Sequence, residues 1–117
     1  MRLGLFALLV LACGSDAPAR PSASLDATPL SDLDTSEIDQ VCAYTASIES
    51  GPREVACPDG KHVHVLSRVE CFDMVSNVTA ACLATAGDYL DCSETHAVNE
   101  CDDSTPACTA VFSTNCL

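Results

Sequence analysis

The chain has 117 residues, of which nine are cysteine, and its 17 acidic and 5 basic side chains give a formal charge of −12. This length allows one small domain, and the cysteine content is close to that of disulfide-stabilised scaffolds in short exported chains. The negative charge argues against nucleic acid as a partner, because phosphate binding needs clustered Lys and Arg. With no Trp, three Phe and two Tyr, the chain is not expected to form a stacking platform for bases or sugars.

The first residues have the pattern of an export signal. Arg2 is followed by an uncharged run, Leu3 to Ala12. This run has the length of a signal-peptide hydrophobic region, and it is too short to cross a bilayer as a helix, which needs about 20 residues. Polar, proline-containing sequence follows directly. We therefore expect residues 1–12 to be a cleaved signal peptide.

The residues around Cys13 indicate which kind of signal this is. Residues 9–13, Leu-Val-Leu-Ala-Cys, resemble the lipobox of bacterial lipoproteins. The resemblance implies cleavage before Cys13 and attachment of lipid to Cys13, which would anchor the protein to a membrane. In Gram-negative members of this family an Asp after the cysteine retains the protein in the inner membrane. Gly14 stands there, which favours the outer membrane. The alternative is an ordinary secretory signal with a free Cys13.

Residues 13–34 read as a lipidated cysteine followed by a tether. The segment after Cys13 is rich in Ser, Pro, Ala and Asp, and its few leucines follow no regular period. Such a composition buries too little apolar surface to offset the entropy of ordering the chain. We therefore expect a flexible spacer that holds the following domain away from the lipid.

Residues 35–117 are expected to form an all-α, disulfide-rich domain of three to four short helices, with room for one short extended segment at 61–65. Four capping signals predict the helix starts, because a polar N-cap side chain satisfies free backbone N–H groups. They are Asp34 with Glu37, Ser67 with Glu70, Thr85 with Asp88, and Thr105 with Pro106.

Apolar residues at helical spacing predict which faces are buried. In the first helix they are Ile38, Val41, Cys42, Thr45 and Ile48, and in the second they are Val69, Phe72, Val75 and Val78. In the third they are Tyr89, Cys92, Ser93, His96 and Ala97. On this face His96 is interpreted as a core histidine.

Without Cys13, eight of the nine cysteines remain, an even number available for pairing. The expected disulfide cysteines are Cys42, Cys57, Cys71, Cys82, Cys92, Cys101, Cys108 and Cys116. Half of them fall in predicted helices and half in connections, so we expect helix cysteines to pair with loop cysteines. The spacing alone does not choose among on the order of a hundred connectivities.

Catalytic motifs are absent from the sequence. It contains no Gly-x-Ser-x-Gly elbow, no phosphate-binding loop, no dinucleotide fingerprint and no His-Glu-x-x-His. We therefore expect neither enzymatic activity nor a cofactor.

His62 and His64 are weak candidates for metal ligands. On a strand both imidazoles would face the same side, as two ligands of one Zn²⁺ or Cu²⁺ require, and Asp59 offers an oxygen nearby. Two ligands do not make a site, however, and Val63 and Val65 explain the alternation as a packed face. A zinc cage of cysteines is also not expected, because the sequence has no Cys-x-x-Cys pair.

Taken together, the chain resembles the small cysteine-rich lipoproteins encoded by myxobacteria. The likeness lies in the Leu-Ala-Cys-Gly junction, the tether and residues 81–92, and it implies a location without an activity. We expect a non-enzymatic envelope lipoprotein whose acidic module contacts an unknown protein partner or forms part of the surface. The alternative is a carrier of a small apolar ligand such as a lipid, which requires a closed apolar cavity on the order of several hundred Å³.

Overall fold

The structure, a computed structural model, describes residues 18–117. The expected signal peptide and Cys13 therefore lie outside the described residues. Within them the chain forms two short 3₁₀ helices, four α-helices and two strands. The 3₁₀ helices are Ala23–Leu25 and Leu30–Asp32, and the α-helices are α1 (Thr35–Glu49), α2 (Arg68–Ser76), α3 (Ala86–Val98) and α4 (Pro106–Val111). The strands are β1 (Arg53–Ala56) and β2 (His62–Val65).

The expected all-α class is wrong, because β1 and β2 pair as an antiparallel hairpin between α1 and α2. The ladder places Arg53 opposite Val65 and Ala56 opposite His62. Strand β2 corresponds to the short extended segment that we considered at residues 61–65 because of their alternating pattern. Strand β1 has no such alternation, since three of its four side chains are exposed. The sequence therefore carried no pattern that identified its partner strand.

The helix starts are confirmed at all four positions. Asp34, Ser67 and Thr85 each accept a hydrogen bond from the backbone N–H three residues later, and the acidic side chain there bonds back to the cap. Thr105 caps α4, with Pro106 in its first turn. These caps depend only on residues that are neighbours in sequence, which explains why the pattern identified them correctly.

The buried face of α2 differs from the expected stripe. Cys71 and Val75, four residues apart, face the core, whereas Val69 is 77% exposed. Val69 lies two residues before Cys71, which is a rotation of about 200° around the helix. Burial of the cysteine therefore turns Val69 to solvent. For the same reason Ala97, adjacent to the buried His96, is exposed on α3.

Aliphatic side chains from the helices meet in one core. Among its fully buried members are Leu30, Val41, Val75, Leu90 and Val111. Four of these come from α1, α2, α3 and α4. Leu30 comes from the segment before α1, which shows that this segment contributes to the core.

The segment before α1 packs against the start of α3, in contrast to the flexible spacer expected up to residue 34. The N–H of Leu30 donates to the carbonyl of Ala84 at 3.0 Å, and Leu30 is 1% exposed. The N–H of Gly87 donates to the carbonyl of Asp26 at 3.0 Å. A Cβ on Gly87 would lie 2.8 Å from that same oxygen, so only glycine permits this approach.

Charged groups hold the beginning of this segment as well. The Arg20 guanidinium lies 2.8 Å from a carboxylate oxygen of Glu94 and 3.1 Å from one of Asp91, both on α3. The Glu94 hydrogen bond, the largest contribution to the shift, raises the pKa of Arg20 above its usual value. The described residues from Arg20 to Asp34 are therefore packed with the helical domain and do not form a free spacer.

All eight expected cysteines form disulfides. The pairs are Cys42–Cys71, Cys57–Cys101, Cys82–Cys116 and Cys92–Cys108. The expectation that helix cysteines pair with loop cysteines is wrong, since helix cysteines pair with each other. The reason is that cysteines on the buried faces of neighbouring helices meet in the same core.

The disulfides indicate an oxidising location, either extracellular or in the cell envelope. Over the part of the chain that the structure describes, no helix combines the length and apolar character that crossing a membrane requires.

Truncation of Leu30 tests whether the segment before α1 belongs to the folded unit. We expect Leu30→Ala to lower the free energy of unfolding by about 3 kcal/mol, because it leaves a cavity in the core. Leu83→Ala is the matched control, since Leu83 is 88% exposed, and its effect should stay within about 0.5 kcal/mol. Denaturant unfolding followed by circular dichroism measures both, and equal effects would contradict the packing described here.

Candidate functional site

A cleft of about 340 Å³ lies between the hairpin and the helices, neither fully enclosed nor flat. Its apolar lining includes Val65, Leu66, Met74, Tyr89, Val111 and Phe112. Its polar lining includes Thr45, Glu49, His62, Ser93, His96 and Asp103. The cleft thus combines an apolar wall with several groups that can hydrogen-bond.

The connection after α1 places the hairpin over the cleft. Ser50 ends α1 in the left-handed conformation, with φ of 57°. Gly51 follows, and a Cβ there would lie 2.0 Å from the carbonyl oxygen of Leu66, so the chain needs glycine at this crossing. At the other end of the hairpin, the Cys57–Cys101 disulfide joins the turn to the connection after α3. Both ends of the hairpin are therefore fixed to the helices.

His96 lies between two carboxyl groups in this cleft. Its Nε2 is 2.7 Å from Oδ1 of Asp103, and its Nδ1 is 3.8 Å from Oε1 of Glu49. The ring stacks on Phe112 with 5.8 Å between the centroids, and His96 is 8% exposed. The interpretation of His96 as a core histidine is therefore incomplete, because it is also the buried polar centre of the cleft.

Glu49 and Asp103 have opposite pKa shifts. Burial is the main cause that raises the pKa of Glu49, although Ser93 donates its hydroxyl proton to this carboxylate. Burial also acts to raise the pKa of Asp103, but hydrogen bonds from His96 and Lys61 outweigh it and hold this pKa below its usual value. Asp103 is therefore the carboxylate favoured as an anion in the folded protein.

The hydrogen bonds do not join Ser93 and His96 as a serine–histidine pair. The hydroxyl of Ser93 donates to Glu49, whereas the Nε2 atom of His96 faces Asp103. In catalytic sites of the serine–histidine type the hydroxyl is hydrogen-bonded to the imidazole, which is oriented by a third group. The arrangement is suited to holding a polar group of a ligand.

Two sulfur atoms lie beside the imidazole. Nε2 of His96 is 4.0 Å from Sγ of Cys92 and 3.9 Å from Sγ of Cys108. Within residues 18–117, Cys92, His96 and Cys108 form the one group of three potential metal ligands whose donor atoms all lie within 4.8 Å of each other. In the structure the two sulfurs are joined as a disulfide, and thiolates, not disulfides, are metal ligands.

The weak metal candidates His62 and His64 are not part of this group. His64 lies on the exposed side of the hairpin, where its ring contacts Glu54 and its Nε2 is 3.0 Å from Oε1 of Glu70. The hydrogen bond with Glu70, and next that with Glu54, raise the pKa of His64 above its usual value. His62 is exposed beside its ladder partner Ala56. The carboxylates therefore give His64 an ion-pairing role on the surface.

The sequence pattern identified His96 and Ser93 as buried residues but gave no indication of their partners. Ser93 and Glu49 are 44 residues apart, and Glu49 is the last residue of α1, where an acidic side chain is ordinarily solvated. Asp103 follows α3 in a run of acidic residues with no distinguishing pattern. Tertiary packing alone brings these two carboxyl groups to His96.

The fold and the cleft define a small α+β domain crosslinked by four disulfides. No protein-family model, curated protein or solved structure matches the chain. Its function is therefore argued from the cleft and from the sequence before it.

The opposite pKa shifts predict opposite effects on stability. Between 4.5, the ordinary pKa of Glu49, and its raised value in the folded protein, the folded state binds more protons, so stability falls as the pH rises. For Asp103 the folded pKa lies below the ordinary 3.8, so its contribution is present above that pH and is lost as the pH falls through the folded value. At pH 7 we therefore expect Glu49→Gln to raise the melting temperature and Asp103→Asn to lower it.

Thermal melts from acidic to neutral pH, followed by circular dichroism, test this pair. The difference in melting temperature between each variant and the wild type should become smaller at low pH, where the carboxyl groups are protonated. Two variants that shift the melting temperature in the same direction at pH 7 would contradict the assigned environments.

Proposed function

We propose that this chain is a non-enzymatic lipoprotein of the cell envelope that binds a small ligand in the cleft. The observation that carries the proposal is the cleft itself, with a volume of about 340 Å³ and polar groups converging on an apolar wall. Ligand sites in proteins are typically concave, mostly apolar and on the order of 300–1,000 Å³. The disulfides that hold the surrounding helices and hairpin keep such a site preformed.

The ligand best suited to this cleft is a compact molecule with an apolar body and a basic group. Val65, Met74 and Val111 offer apolar contact, while Glu49 and Asp103 offer carboxylate oxygens to an ammonium group. The charge of −12 also attracts cations to the protein. Because the cleft is not enclosed, it differs from the closed cavity that a carrier of long acyl chains requires, and we favour a compact ligand over a lipid.

The lipobox at residues 9–13 supports a membrane anchor at Cys13. Cleavage there would leave only a few residues between the lipid and Arg20, which contacts α3. Gly14 after the cysteine favours the outer membrane, following the resemblance to Gram-negative lipoproteins. The proposed module would therefore be held close to the membrane surface.

Contact with a protein partner is the second candidate function. Phe112 lines the cleft and is 50% exposed. A partner could insert a basic or apolar side chain into the same cleft, so both candidate functions use one surface.

Replacement of Cys13 tests the anchor. We expect the wild-type chain expressed in a Gram-negative host to partition into the detergent phase, and Cys13→Ser to remain in the aqueous phase, because acyl chains on the cysteine provide membrane affinity. Mass spectrometry of the wild type should show an N-terminus at Cys13 carrying acyl groups. A wild-type protein without added lipid mass would contradict the proposal.

Filling the cleft tests ligand binding. We expect 4-phenylbutylamine to produce saturable NMR shifts at cleft residues, and Ala46→Leu to weaken its binding at least about tenfold, or about 1.4 kcal/mol, because Ala46 lines the cleft. Ala43→Leu is the matched control, since Ala43 lies on the same helix but does not line the cleft.

Two further probes show whether the cleft recognises the amino group of the ligand. The alcohol 4-phenylbutanol should bind more weakly than the amine, and the anion 4-phenylbutyrate should bind least, since the cleft carboxylates repel it. Binding that is equal for all three probes, or unchanged by Ala46→Leu, would rule out the proposed ligand class.

A further inference from the structure

We propose that the cleft binds an extended peptide segment of a partner protein, which pairs as a third, antiparallel strand with the edge of β2 that faces away from β1. Two side chains of this peptide, one apolar and one basic, enter the cleft. The inference rests on the proposed function in one respect, that the cleft is a binding site. It deepens the second candidate function by naming the form and the chemistry of the segment that the partner supplies.

The hydrogen bonds of the hairpin determine which backbone groups of β2 point away from β1. The N–H of Cys57 donates to the carbonyl of Lys61 at 2.7 Å, and the register carries this pattern on to Val63 and Val65. In an antiparallel pair, residues that bond to the partner strand alternate with residues whose N–H and C=O groups point the other way. The backbone groups of the two histidines of β2 therefore point away from β1.

These groups of His62 and His64 form what we call the cleft edge of β2. All six residues from 61 to 66 line the cleft, although side chains along a strand alternate between its two faces. An unbroken run of lining residues therefore indicates that the edge of the strand borders the cleft. Of the residues that the structure describes, none from β1 lines it. Within residues 18–117, no other backbone group bonds to the N–H or C=O of His62 or His64.

Such an edge is suited to an extended polypeptide. Unpaired N–H and C=O groups along a sheet edge are a template for a further strand. Peptides that bind in this way gain affinity from main-chain hydrogen bonds and specificity from pockets for alternate side chains. The antiparallel direction is favoured because its pairing is slightly more stable per residue than parallel pairing. Because the cleft is not enclosed, the chain of the partner can continue beyond it.

The cleft determines which side chains the peptide carries. Residues directly opposite each other in an antiparallel pair lie on the same face, so the peptide residues opposite Val63 and Val65 face the cleft. Val65 is buried in the apolar wall, which favours an apolar side chain. The carboxyl groups of Glu49 and Asp103 favour a basic one, in agreement with the formal charge of −12. The two peptide residues are therefore separated by one residue.

Titration of the folded, oxidised chain with a peptide tests this spacing. The probe is acetyl-Thr-Val-Thr-Lys-Thr-amide, and we expect saturable NMR shifts at cleft residues. The matched control, acetyl-Thr-Val-Lys-Thr-Thr-amide, has the same composition but places valine and lysine on opposite faces. It should bind at least about fivefold more weakly, because only one of the two side chains reaches the cleft. Equal affinity for both peptides would overturn the proposal.

Methylation of the peptide backbone tests strand pairing and leaves the protein unchanged. In the proposed arrangement the threonines point their N–H groups towards β2, whereas valine and lysine point theirs away. N-methylation of the central threonine should weaken binding about fivefold, because it removes a hydrogen bond, and N-methylation of the valine should weaken it less than about twofold. Equal losses for the two methylated peptides would contradict the pairing.

Proline substitutions test the same hydrogen bonds from the side of the protein. His62→Pro removes an N–H from the cleft edge and keeps the bonds to β1, since proline is tolerated where the N–H of an edge strand faces outward. Ala56→Pro is the matched control, because Ala56 lies opposite His62 and its N–H is on the outer edge of β1. We expect His62→Pro to weaken peptide binding about fivefold and Ala56→Pro to leave it unchanged.

Amide hydrogen exchange in the unmodified protein provides a test that does not depend on the folding of these variants. With peptide at ten times its Kd, exchange of the amides of His62 and His64 should slow roughly tenfold. Exchange at Glu54 and Ala56, on the outer edge of β1, should not change. Slower exchange at both edges, or at neither edge, would overturn the proposal.

The amine 4-phenylbutylamine distinguishes failure of this proposal from failure of the proposed function. If the amine binds in the cleft but the peptide does not, or the peptide binds without slowing exchange at His62 and His64, strand pairing is wrong and the small-ligand site remains. If neither the amine nor the peptide binds, the cleft is not a binding site and both proposals are wrong.

Discussion

The structure depends on covalent crosslinks between its helices. Cys42–Cys71 joins α1 to α2, and Cys92–Cys108 joins α3 to α4, with all four sulfurs in the core. The apolar residues around them are mainly Val, Leu and Ala, without Trp. A core of this size contributes only about 3–5 kcal/mol, whereas one disulfide that closes a loop of this length contributes about 3 kcal/mol, largely by restricting the unfolded chain. The crosslinks therefore determine whether the helices stay together.

Features of the fold that depend on residues close together in sequence were predicted correctly, and features that depend on residues far apart in sequence were not. The caps at Asp34, Ser67, Thr85 and Thr105 involve residues within one turn, and all four were identified correctly. Strand β1 has exposed side chains and is defined only by its partner β2, so the all-α prediction missed it. The segment before α1 has the composition of a spacer, yet Leu30 and Leu33 are both buried in the core. Average composition does not reveal individual buried residues, nor the backbone hydrogen bonds that fix the segment to the start of α3.

Even less of the candidate site than of the fold could be predicted from the sequence. Periodicity placed His96 and Ser93 on the buried face of α3, because a helix repeats every 3.6 residues. It did not indicate Glu49 or Asp103, which approach from the end of α1 and from the connection after α3. The pairing of cysteines was open for the same reason, since spacing does not show which helix faces meet. Once the disulfides set those faces, the carboxyl groups and the imidazole come within reach of each other.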